Sequence, residues 1–437
     1  MAVTVGVSKA VRESIERVAR DIFDNKNITY DRELMMATAS QLLDAVKEGY
    51  GMDITDVEYN SPDWETLGKI TENVYSFSAA KNYHELRDMT DALRDGDRIR
   101  SFEEFRQAVE DIDAKYNGNW LRTEYNQAIA ASQCGARWNE FKRNAKAMPM
   151  LQYQAVMDSN TREDHAKLNG VRKRVDDPFW DIYMPPNGWG CRCEVIQLPS
   201  SAAKETPSEK IIPPAVPKMF QVNFGKRGIV FPQGHAYFKR LPKEYEYKLK
   251  ESSRAEVRRI LDNAEEYQRL KNDKNYTDVE FDWGTGGLKA THKDHNFDKD
   301  IGLFEIERGQ YEKNTREALY EKGYSIILQK EDLHLVGVKQ PDGFLNGTLM
   351  DIKGVEGNPM WSIFRANGQR VETCVLYFHE PSLFSESDVR NKFFNDLPKW
   401  MNEQDFIKNK EIYVKTVVCV INNDENYNVV EIKKPEE

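Results

Sequence analysis

Two aspartates and a lysine lie close together in the segment QPDGFLNGTLMDIK, residues 340–353. Asn346 and Gly347 stand between two apolar runs and predict a two-residue type I′ hairpin turn. With these two residues as the loop, Asp342 faces Asp351 across the hairpin, and Lys353 lies two residues further along on the same face. The pattern therefore predicts two carboxylates and one ammonium group on a single surface of a sheet.

Opposed like charges destabilise a sheet unless a cation, a shared proton or water compensates them. One carboxylate should therefore have a raised pKa, unless Lys353 or a metal ion neutralises the pair. Pro341-Asp342 followed by Asp351-Ile352-Lys353 also resembles the restriction-endonuclease-like signature. That resemblance implies Mg²⁺ at Asp342 and Asp351, and a lysine that steadies the attacking water or the scissile phosphate. The alternative is a solvated surface ladder in which Lys353 screens both acids.

Two histidines follow a glycine-rich turn in the segment GTGGLKATHKDH, residues 284–295. Such a turn, followed by Lys, Thr and His side chains, is suited to holding a phosphate group. His292 and His295 would then supply a general acid and a general base. The alternative is that both histidines are polar loop residues without a chemical role.

A second cluster of reactive side chains combines His165 with Cys191 and Cys193. If residues 191–195 form a short strand, the two cysteines project to one side and reach the same metal ion. Cysteine and histidine are the usual ligands of structural zinc. The pattern therefore predicts a zinc site with these three residues as ligands.

Structural zinc requires four ligands, and the fourth is open. Asp158, Arg162 and His165 recur at the spacing of one helical face, so Asp158 is one choice and Cys134 is the other. The alternative is that the cysteines are packed thiols and that Asp158 forms an ion pair with Arg162.

The elements that position these residues fall into four regions. Apolar residues at helical spacing predict a helical region over residues 1–150. Residues 151–240 contain the Cys/His cluster, and residues 241–275 are predicted as a helical linker. Residues 276–437 show a helix, a strand, the hairpin and later strands, which predicts a compact α+β domain.

Within the last region, the sequence predicts elements on both sides of the hairpin. A helix over Glu312 to Glu321 ends at Gly323 and is followed by a strand at Ser325–Leu328. Further strands are predicted at Val371–His379 and Ile412–Ile421.

Charge and composition limit the function classes. The net charge is -10, and residues 276–437 carry 29 acidic against 20 basic side chains. This region attracts a phosphate backbone poorly unless a basic groove, a metal or a partner compensates. There is no run of eighteen apolar residues, no secretory signal and no disulfide pattern among the five cysteines. We expect a soluble protein of a reducing cytosol with no membrane partner.

Three segments resemble the phage Mu F-like minor head, or head morphogenesis, proteins: WLRTEYNQA, QYQAVMDSNTREDHAKLNG and DDPFWDIYMPPNGWGCRC. The resemblance covers roughly residues 75–240. It implies a capsid protein present in few copies near the portal, with portal and capsid proteins as partners and the virion as its location. Some relatives carry a CxxC pair upstream of the CRC run, where this chain has residues 158–162.

Segments of the last third, among them GGLKATHKDH and VLYFHEPSLFS, resemble nuclease toxin domains appended to phage minor head proteins. They are similar to the tRNA-cutting domains of contact-dependent inhibition systems, grouped with the barnase–EndoU–colicin–RelE-like folds. Over about residues 284–421, the resemblance implies a ribonuclease acting on RNA such as tRNA in the host cytoplasm, with an immunity protein as partner. It carries over five catalytic candidates: Asp342, Asp351, Lys353, His292 and His295.

The sequence thus predicts a multidomain chain, with a mainly α N-terminal head-morphogenesis module and an α+β C-terminal nuclease-like domain. Three functions remain open for the second part. A metal-independent ribonuclease would use Asp351 or a histidine to take the proton of the 2′-OH, and Lys353 to stabilise charge on phosphate. A DNA nuclease of the endonuclease-like type would need Mg²⁺. A purely structural capsid protein would carry this part as an inert binding module.

Overall fold

The computed structural model describes residues 7–24, 28–201, 204–302, 304–331, 339–405, 407, 409–423 and 426–434. The chain divides into two compact units, Met1–Leu261 and Asp262–Glu437. The boundary falls inside one long helix, Lys243–Lys271, in the region predicted as a helical linker. Its residues up to Leu261 belong to the first unit, and those from Asp262 belong to the second.

The first unit is mainly helical, as the sequence predicts. Its helices are α1 (Lys9–Phe23), α2 (Arg32–Tyr50), α3 (Pro62–Ala92), α4 (Phe102–Asp113), α5 (Leu121–Asn144), α6 (Glu163–Ala166), α7 (Phe179–Tyr183), α8 (Phe224–Arg227), α9 (Ala236–Lys239) and the first part of α10 (Lys243–Lys271). Across the described part of both units, no helix has the length and apolar composition needed to cross a membrane.

Small residues allow α2 and α5 to pack closely. A Cβ atom added to Gly49 of α2 would lie 2.2 Å from Ser132 Oγ and 2.3 Å from the carbonyl oxygen of Ile129, both in α5. Only glycine fits this contact without a backbone shift. The first-unit helices are therefore held at a separation that larger side chains would not permit.

Five short strands complete the first unit: β1 (Arg94–Asp95), β2 (Arg98–Ile99), β3 (Met150–Gln154), β4 (Arg172–Arg174) and β5 (Glu194–Leu198). The last three form an antiparallel sheet in the order β4-β3-β5. Because β5 begins at Glu194, the prediction of a strand over residues 191–195 is wrong at its start. Cys191 and Cys193 lie in the irregular segment that leads into the strand.

The second unit is built on one eight-stranded sheet. Its strands are β6 (Tyr276–Phe281), β7 (Leu288–His292), β8 (Ser325–Leu328), β9 (Gly343–Leu345), β10 (Thr348–Gly354), β11 (Thr373–Phe378), β12 (Thr416–Asn422) and β13 (Tyr427–Lys433). Its helices, besides the end of α10, are α11 (Arg308–Glu321), α12 (Pro359–Gly368), α13 (Glu386–Asn391) and α14 (Leu397–Glu403). The sheet order is β13-β12-β11-β10-β9-β8-β7-β6.

This sheet is mixed. The pairs β7–β8, β10–β11 and β11–β12 are parallel, and the other pairs are antiparallel. A parallel pair needs a crossover, and α11 and α12 lie in the connections from β7 to β8 and from β10 to β11. The predicted helix, strand and hairpin are thus present, within a sheet that also contains parallel strands.

Both faces of the sheet are covered by apolar clusters. Met350 and Ile352 of β10 pack in the cluster that contains residues of α11. Val355 and Cys374 belong to the cluster that contains residues of α12, α13 and α14. Because side chains alternate along a strand, Asp351 and Lys353 leave β10 on the side opposite Met350 and Ile352.

Candidate functional site

The hairpin of β9 and β10 has the predicted turn and register. Asn346 and Gly347 both have positive φ angles, 47° and 80°, as a type I′ turn requires. Gly343 lies opposite Met350, which is the predicted pairing. The two loop residues therefore fix the register of the hairpin, and the register decides which side chains lie on the same face.

Asp342, Asp351 and Lys353 come together on this hairpin. The Nζ atom of Lys353 lies 2.7 Å from Asp351 Oδ2 and 3.9 Å from Asp342 Oδ2. Asp342 is one residue before β9, and its Oδ2 accepts a hydrogen bond from the backbone amide of Ile352 at 2.5 Å. Asp342 and Asp351 are only 6% and 1% exposed. The alternative of a solvated surface ladder is therefore wrong.

The pKa values in this cluster are shifted in opposite senses. Burial, together with the negative charge of Asp342, raises the pKa of Asp351 to about 7. Burial alone would lower the pKa of Lys353. The negative charges of Asp342 and Asp351 outweigh this effect and raise the pKa. The lysine therefore stays charged at neutral pH, whereas Asp351 is near the midpoint of its titration.

The backbone of a single residue, Gln329, connects the hairpin to His295. The amide of Gln329 donates to the carbonyl oxygen of Asp342 at 2.9 Å. The carbonyl oxygen of Gln329 lies 2.7 Å from His295 Nδ1, and His295 Nε2 lies 3.2 Å from Glu312 Oε2. Because a carbonyl only accepts hydrogen bonds, Nδ1 carries a proton.

His295 and Glu312 form a buried pair beside the hairpin. Burial lowers the pKa of His295, but its contacts with Glu312 and Gln329 outweigh this effect and raise it. Burial raises the pKa of Glu312, and the negative charge of Asp342 adds to the shift. The charges of His295, Glu312 and Asp342 therefore act on one another, and the histidine is held by acceptors at both ring nitrogens.

His292 makes its contacts elsewhere. Its Nδ1 accepts a hydrogen bond from the amide of Asp294 at 3.1 Å, and its ring packs edge-on against Tyr276. Lys289 and Thr291, which follow the predicted phosphate-holding turn, are buried in β7. Lys289 pairs with Glu317 of α11 at 2.5 Å. The structure thus brings His295 to the site and leaves His292 outside it.

A cleft of about 180 Å³ gives access to this region. Lys353 and Glu312 line it, together with Arg308 of α11 and Arg365 of α12. Arg308 is paired with Glu356 at 3.3 Å. The same cleft is also lined by three acidic side chains, Asp298, Glu312 and Glu356, so its three cationic side chains are formally balanced and the lining carries no net positive charge.

The Cys/His cluster of the first unit also comes together. The Sγ atoms of Cys191 and Cys193 each lie 3.6 Å from His165 Nδ1. Within the described residues, this is the one group of three or more His, Cys, Asp or Glu whose ligand atoms all lie within 4.8 Å of one another. The three residues meet although the cysteines precede β5, because an irregular segment brings both sulfur atoms to the short helix α6.

Both predictions for Asp158 are wrong. Helix α6 begins only at Glu163, so Asp158 shares no helical face with His165. Its two carboxylate oxygens accept hydrogen bonds from Arg192 at 2.6 and 2.7 Å, so its ion pair is not with Arg162. Arg162 instead donates to the carbonyl oxygen of Trp189 at 2.7 Å.

Comparison with known proteins identifies part of the first unit. The family described as Phage Mu protein F like protein matches residues 86–196. The putative capsid assembly protein F of Escherichia phage Mu is 40% identical over 85 residues, which are 20% of this chain and 19% of that protein. Residues 86–196 form a phage Mu F-like domain. No solved structure matches the chain significantly.

A second relative supports the same assignment. The Mu-like prophage FluMu F protein of Haemophilus influenzae is 44% identical over 84 residues, 19% of this chain and 20% of that protein. The chain thus matches about a fifth of the length of these curated relatives. The Mu F-like domain contains His165, Cys191 and Cys193. Asp342, Asp351 and Lys353, with their neighbours His295 and Glu312, form the acid–lysine cluster, which lies outside that domain.

Sequence reasoning missed Glu312 of the acid–lysine cluster. Glu312 was predicted only as the beginning of a helix, and its contact with His295 joins residues from two separate elements. A carboxylate 30 residues before Asp342 has no spacing signal in a single sequence, because its position depends on how α11 crosses the sheet. The recognisable signal was local to the hairpin, where Asp342, Asp351 and Lys353 lie within twelve residues.

Proposed function

We propose that this protein takes part in phage head assembly and that its second unit cleaves phosphodiester bonds in RNA. The Mu F-like domain supports the first part, since a relative of that domain is described as a putative capsid assembly protein. Portal and capsid proteins are then its partners, and the phage head is its location. Detection of the chain in purified DNA-filled particles tests this part, and its absence from them contradicts it.

The observation that carries the second part is the burial of Asp342 and Asp351 around the ammonium group of Lys353. Two carboxylates in one buried site repel each other, and removing charges from water is costly. Well-packed apolar residues at these positions would stabilise the fold as well or better. The acid–lysine cluster supplies a carboxylate that exchanges protons near pH 7 and a cation that stabilises negative charge on phosphate.

Cleavage assisted by a divalent cation fits these residues best. Asp351 Oδ2 is buried and lies 2.7 Å from Lys353 Nζ, and Asp342 Oδ2 lies 3.9 Å from the same nitrogen, so the two carboxylates converge on one point. Carboxylate oxygens are the ligands that Mg²⁺ prefers, and it is often held by one or two carboxylates plus substrate phosphate and water. Asp342 and Asp351 would hold the ion. When bound, it activates water and stabilises the charge that develops on phosphate.

The residues of the chain have distinct tasks in this proposal. Asp342 is fixed by the Ile352 amide, which keeps its carboxylate oriented toward Lys353. Lys353 lies in the cleft and neutralises a phosphate oxygen. Arg308 and Arg365 line the same cleft and bind the neighbouring phosphates of the substrate.

The metal-independent mechanism has less support. It requires a general acid for the leaving oxygen, and both ring nitrogens of His295 already face buried acceptors. His292 is outside the cluster. Asp351 is suited to take the proton of a 2′-OH, because its pKa is about 7.

A cleavage assay on the full chain tests the proposal. The protein is incubated with tRNA, ribosomal RNA and linear DNA, in Mg²⁺ or in EDTA. Asp351→Asn and Lys353→Gln are compared with Lys415→Gln, which removes an exposed lysine paired with Glu372 at 2.9 Å. We expect RNA cleavage that needs Mg²⁺ and falls at least about 100-fold in the two site variants but not in the control.

Each other outcome has a defined meaning. RNA cleavage that survives EDTA and is lost in the site variants supports the metal-independent mechanism. Cleavage of DNA alone contradicts RNA as the substrate. If the folded protein cleaves nothing, the second unit is an inert module of a structural head protein. If the active chain stops the growth of its host, a partner whose co-expression restores growth is the expected immunity protein.

A further inference from the structure

Three potential metal ligands meet inside the Mu F-like domain, away from the acid–lysine cluster. His165 is buried, and its Nδ1 lies 3.6 Å from the Sγ atoms of both Cys191 and Cys193. A cleft of about 140 Å³ is lined by both cysteines. The cluster therefore has a path to solvent by which a metal ion and water can enter.

One hydrogen bond between His165 Nδ1 and a thiol does not account for both contacts. A neutral imidazole nitrogen offers either one lone pair or one proton, so Nδ1 can engage only one of the two thiols. Cys191 and Cys193 nevertheless lie at the same distance from it. A cation at the centre of the nitrogen and the two sulfur atoms contacts all three at once, whereas a proton is shared by only two of them.

The distances agree with a tetrahedral zinc ion. With Zn–S bonds of about 2.3 Å and Zn–N bonds of about 2.0–2.1 Å, a tetrahedral ion separates sulfur and nitrogen ligands by about 3.5–3.6 Å. Both observed separations are 3.6 Å. Both sulfur–nitrogen separations are therefore those of a tetrahedral zinc site.

The two residues that the sequence offers as a fourth ligand are engaged elsewhere. Asp158 accepts two hydrogen bonds from Arg192. Cys134 is buried, and its Sγ lies 4.0 Å from Asn223 Oδ1. In the described part of the chain, no fourth His, Cys, Asp or Glu joins the group. The fourth position is therefore left to water from the cleft.

We propose that His165 Nδ1 and the Sγ atoms of Cys191 and Cys193 bind one Zn²⁺ ion, with water as its fourth ligand. The ion joins helix α6 to the segment before β5. Beside the helix, the Asp158–Arg192 ion pair and the hydrogen bond from Arg162 to the carbonyl oxygen of Trp189 also join these segments, and an exposed ion pair contributes little on its own. Zinc therefore stabilises this part of the Mu F-like domain by binding its folded state.

Zinc content of the full chain, purified without chelators after growth with zinc, is the first measurement. We expect one thiolate-bound zinc ion per chain in the wild type and its loss in His165→Gln, Cys191→Ser and Cys193→Ser. Cys134→Ser is the matched control, since this cysteine lines the same cleft, and it should keep the ion. Because a ligand variant may fail to fold, His165→Cys serves as a second test and should retain zinc.

Cobalt substitution separates this site from any ion held by carboxylates. The charge-transfer absorption of Co²⁺ arises from thiolate ligands, so an ion at Asp342 and Asp351 does not contribute to it. We expect the band in the wild type, its loss in each of the variants Cys191→Ser and Cys193→Ser, and no change in Cys134→Ser. A folded wild-type protein that shows no thiolate–cobalt band and takes up no zinc overturns the proposal. A disulfide between Cys191 and Cys193 in protein kept under reducing conditions also overturns it.

Discussion

The Nζ atom of Lys353 lies 2.7 Å from Asp351 Oδ2, and the side chain of Asp351 is 1% exposed. The lysine compensates part of the cost of burying this carboxylate, but the nearby charge of Asp342 keeps the pKa of Asp351 raised to about 7. The two residues therefore couple the stability of the second unit to pH.

The sign of this dependence follows from linkage. In the unfolded chain Asp351 loses its proton near its ordinary pKa of 3.8, whereas in the folded chain it holds the proton up to about pH 7. The free energy of unfolding should therefore fall as the pH rises from about 4 to about 7. Above about pH 7, the contribution of Asp351 to this free energy should no longer change with pH. We expect Asp351→Asn to remove a decline of ~2–4 kcal/mol, measured by denaturant unfolding in EDTA.

Asp388→Asn is the control for this measurement. Asp388 is half exposed and lies 3.9 Å from Lys392, so its removal should leave the pH profile of the wild type intact. Profiles that are parallel for the wild type and Asp351→Asn would show that Asp351 titrates normally.

The two predicted histidines should differ in effect. His295→Ala leaves Glu312 buried without its partner, so we expect a loss of ~2–4 kcal/mol in the free energy of unfolding. Cleavage should fall more than about tenfold, because the Gln329 peptide beside Asp342 loses its contact with the ring.

His292→Ala is the matched variant. It should cost less than about 1 kcal/mol and leave cleavage within about twofold, because the contacts of His292 are local. Unfolding and cleavage are measured on both proteins in parallel. Equal loss of cleavage in both would place His292 in the site as well.

The hairpin could be predicted from sequence because its determinants are local. Positive φ at Asn346 and Gly347 selects one turn type, and the turn fixes the register of the residues beside it. The strand at Ser325–Leu328 was predicted with its observed bounds for a similar reason, since a glycine ends the preceding helix.

Other features depend on packing between distant segments and left no such signal. The parallel pairing of β10 with β11 requires α12 to cross the sheet, and sequence patterns do not specify the neighbours of a strand. Strand β13 was not predicted, since its alternation is weak. The meeting of Cys191 and Cys193 with His165 was expected from an incorrect strand, although an irregular segment also brings them together.

Gly343 is expected to be essential for the hairpin. A Cβ atom at this position would lie 2.0 Å from the carbonyl oxygen of Ile327, which belongs to the neighbouring strand β8. Gly343→Ala should therefore force β9 away from β8 and lower the free energy of unfolding by ~2–4 kcal/mol. Cleavage should fall with it, because Asp342 is the adjacent residue.

Gly357→Ala provides a matched control for this change. A Cβ atom at Gly357 meets nothing within 4 Å, so the substitution should change stability by less than about 1 kcal/mol. Thermal unfolding of the two variants gives the comparison. A Gly343→Ala protein as stable as Gly357→Ala would show that the two strands can separate without cost.

Two buried glutamates of the first unit should respond differently to the same change. Lys81 Nζ lies 2.7 Å from Glu124 Oε2 and donates to the carbonyl oxygen of Tyr116, and both charged side chains are almost fully buried. Burial raises the pKa of Glu85 to about 8, and its Oε1 accepts a hydrogen bond from Asn117. Glu85 is therefore mostly neutral at pH 7, and Glu124 is the carboxylate that pairs with Lys81.

Glu124→Gln should cost ~3–5 kcal/mol at pH 7, because it leaves the Lys81 ammonium buried without its anion. Glu85→Gln should cost less than about 1 kcal/mol, because one neutral group replaces another of the same shape. It should also remove a decline in stability as the pH rises from about 4.5 to about 8, since the folded state holds the Glu85 proton more tightly than the unfolded chain does. Denaturant unfolding over the range from about pH 4.5 to about pH 8 measures both effects, and an equal cost for the two variants at pH 7 would mean that Glu85 is ionised.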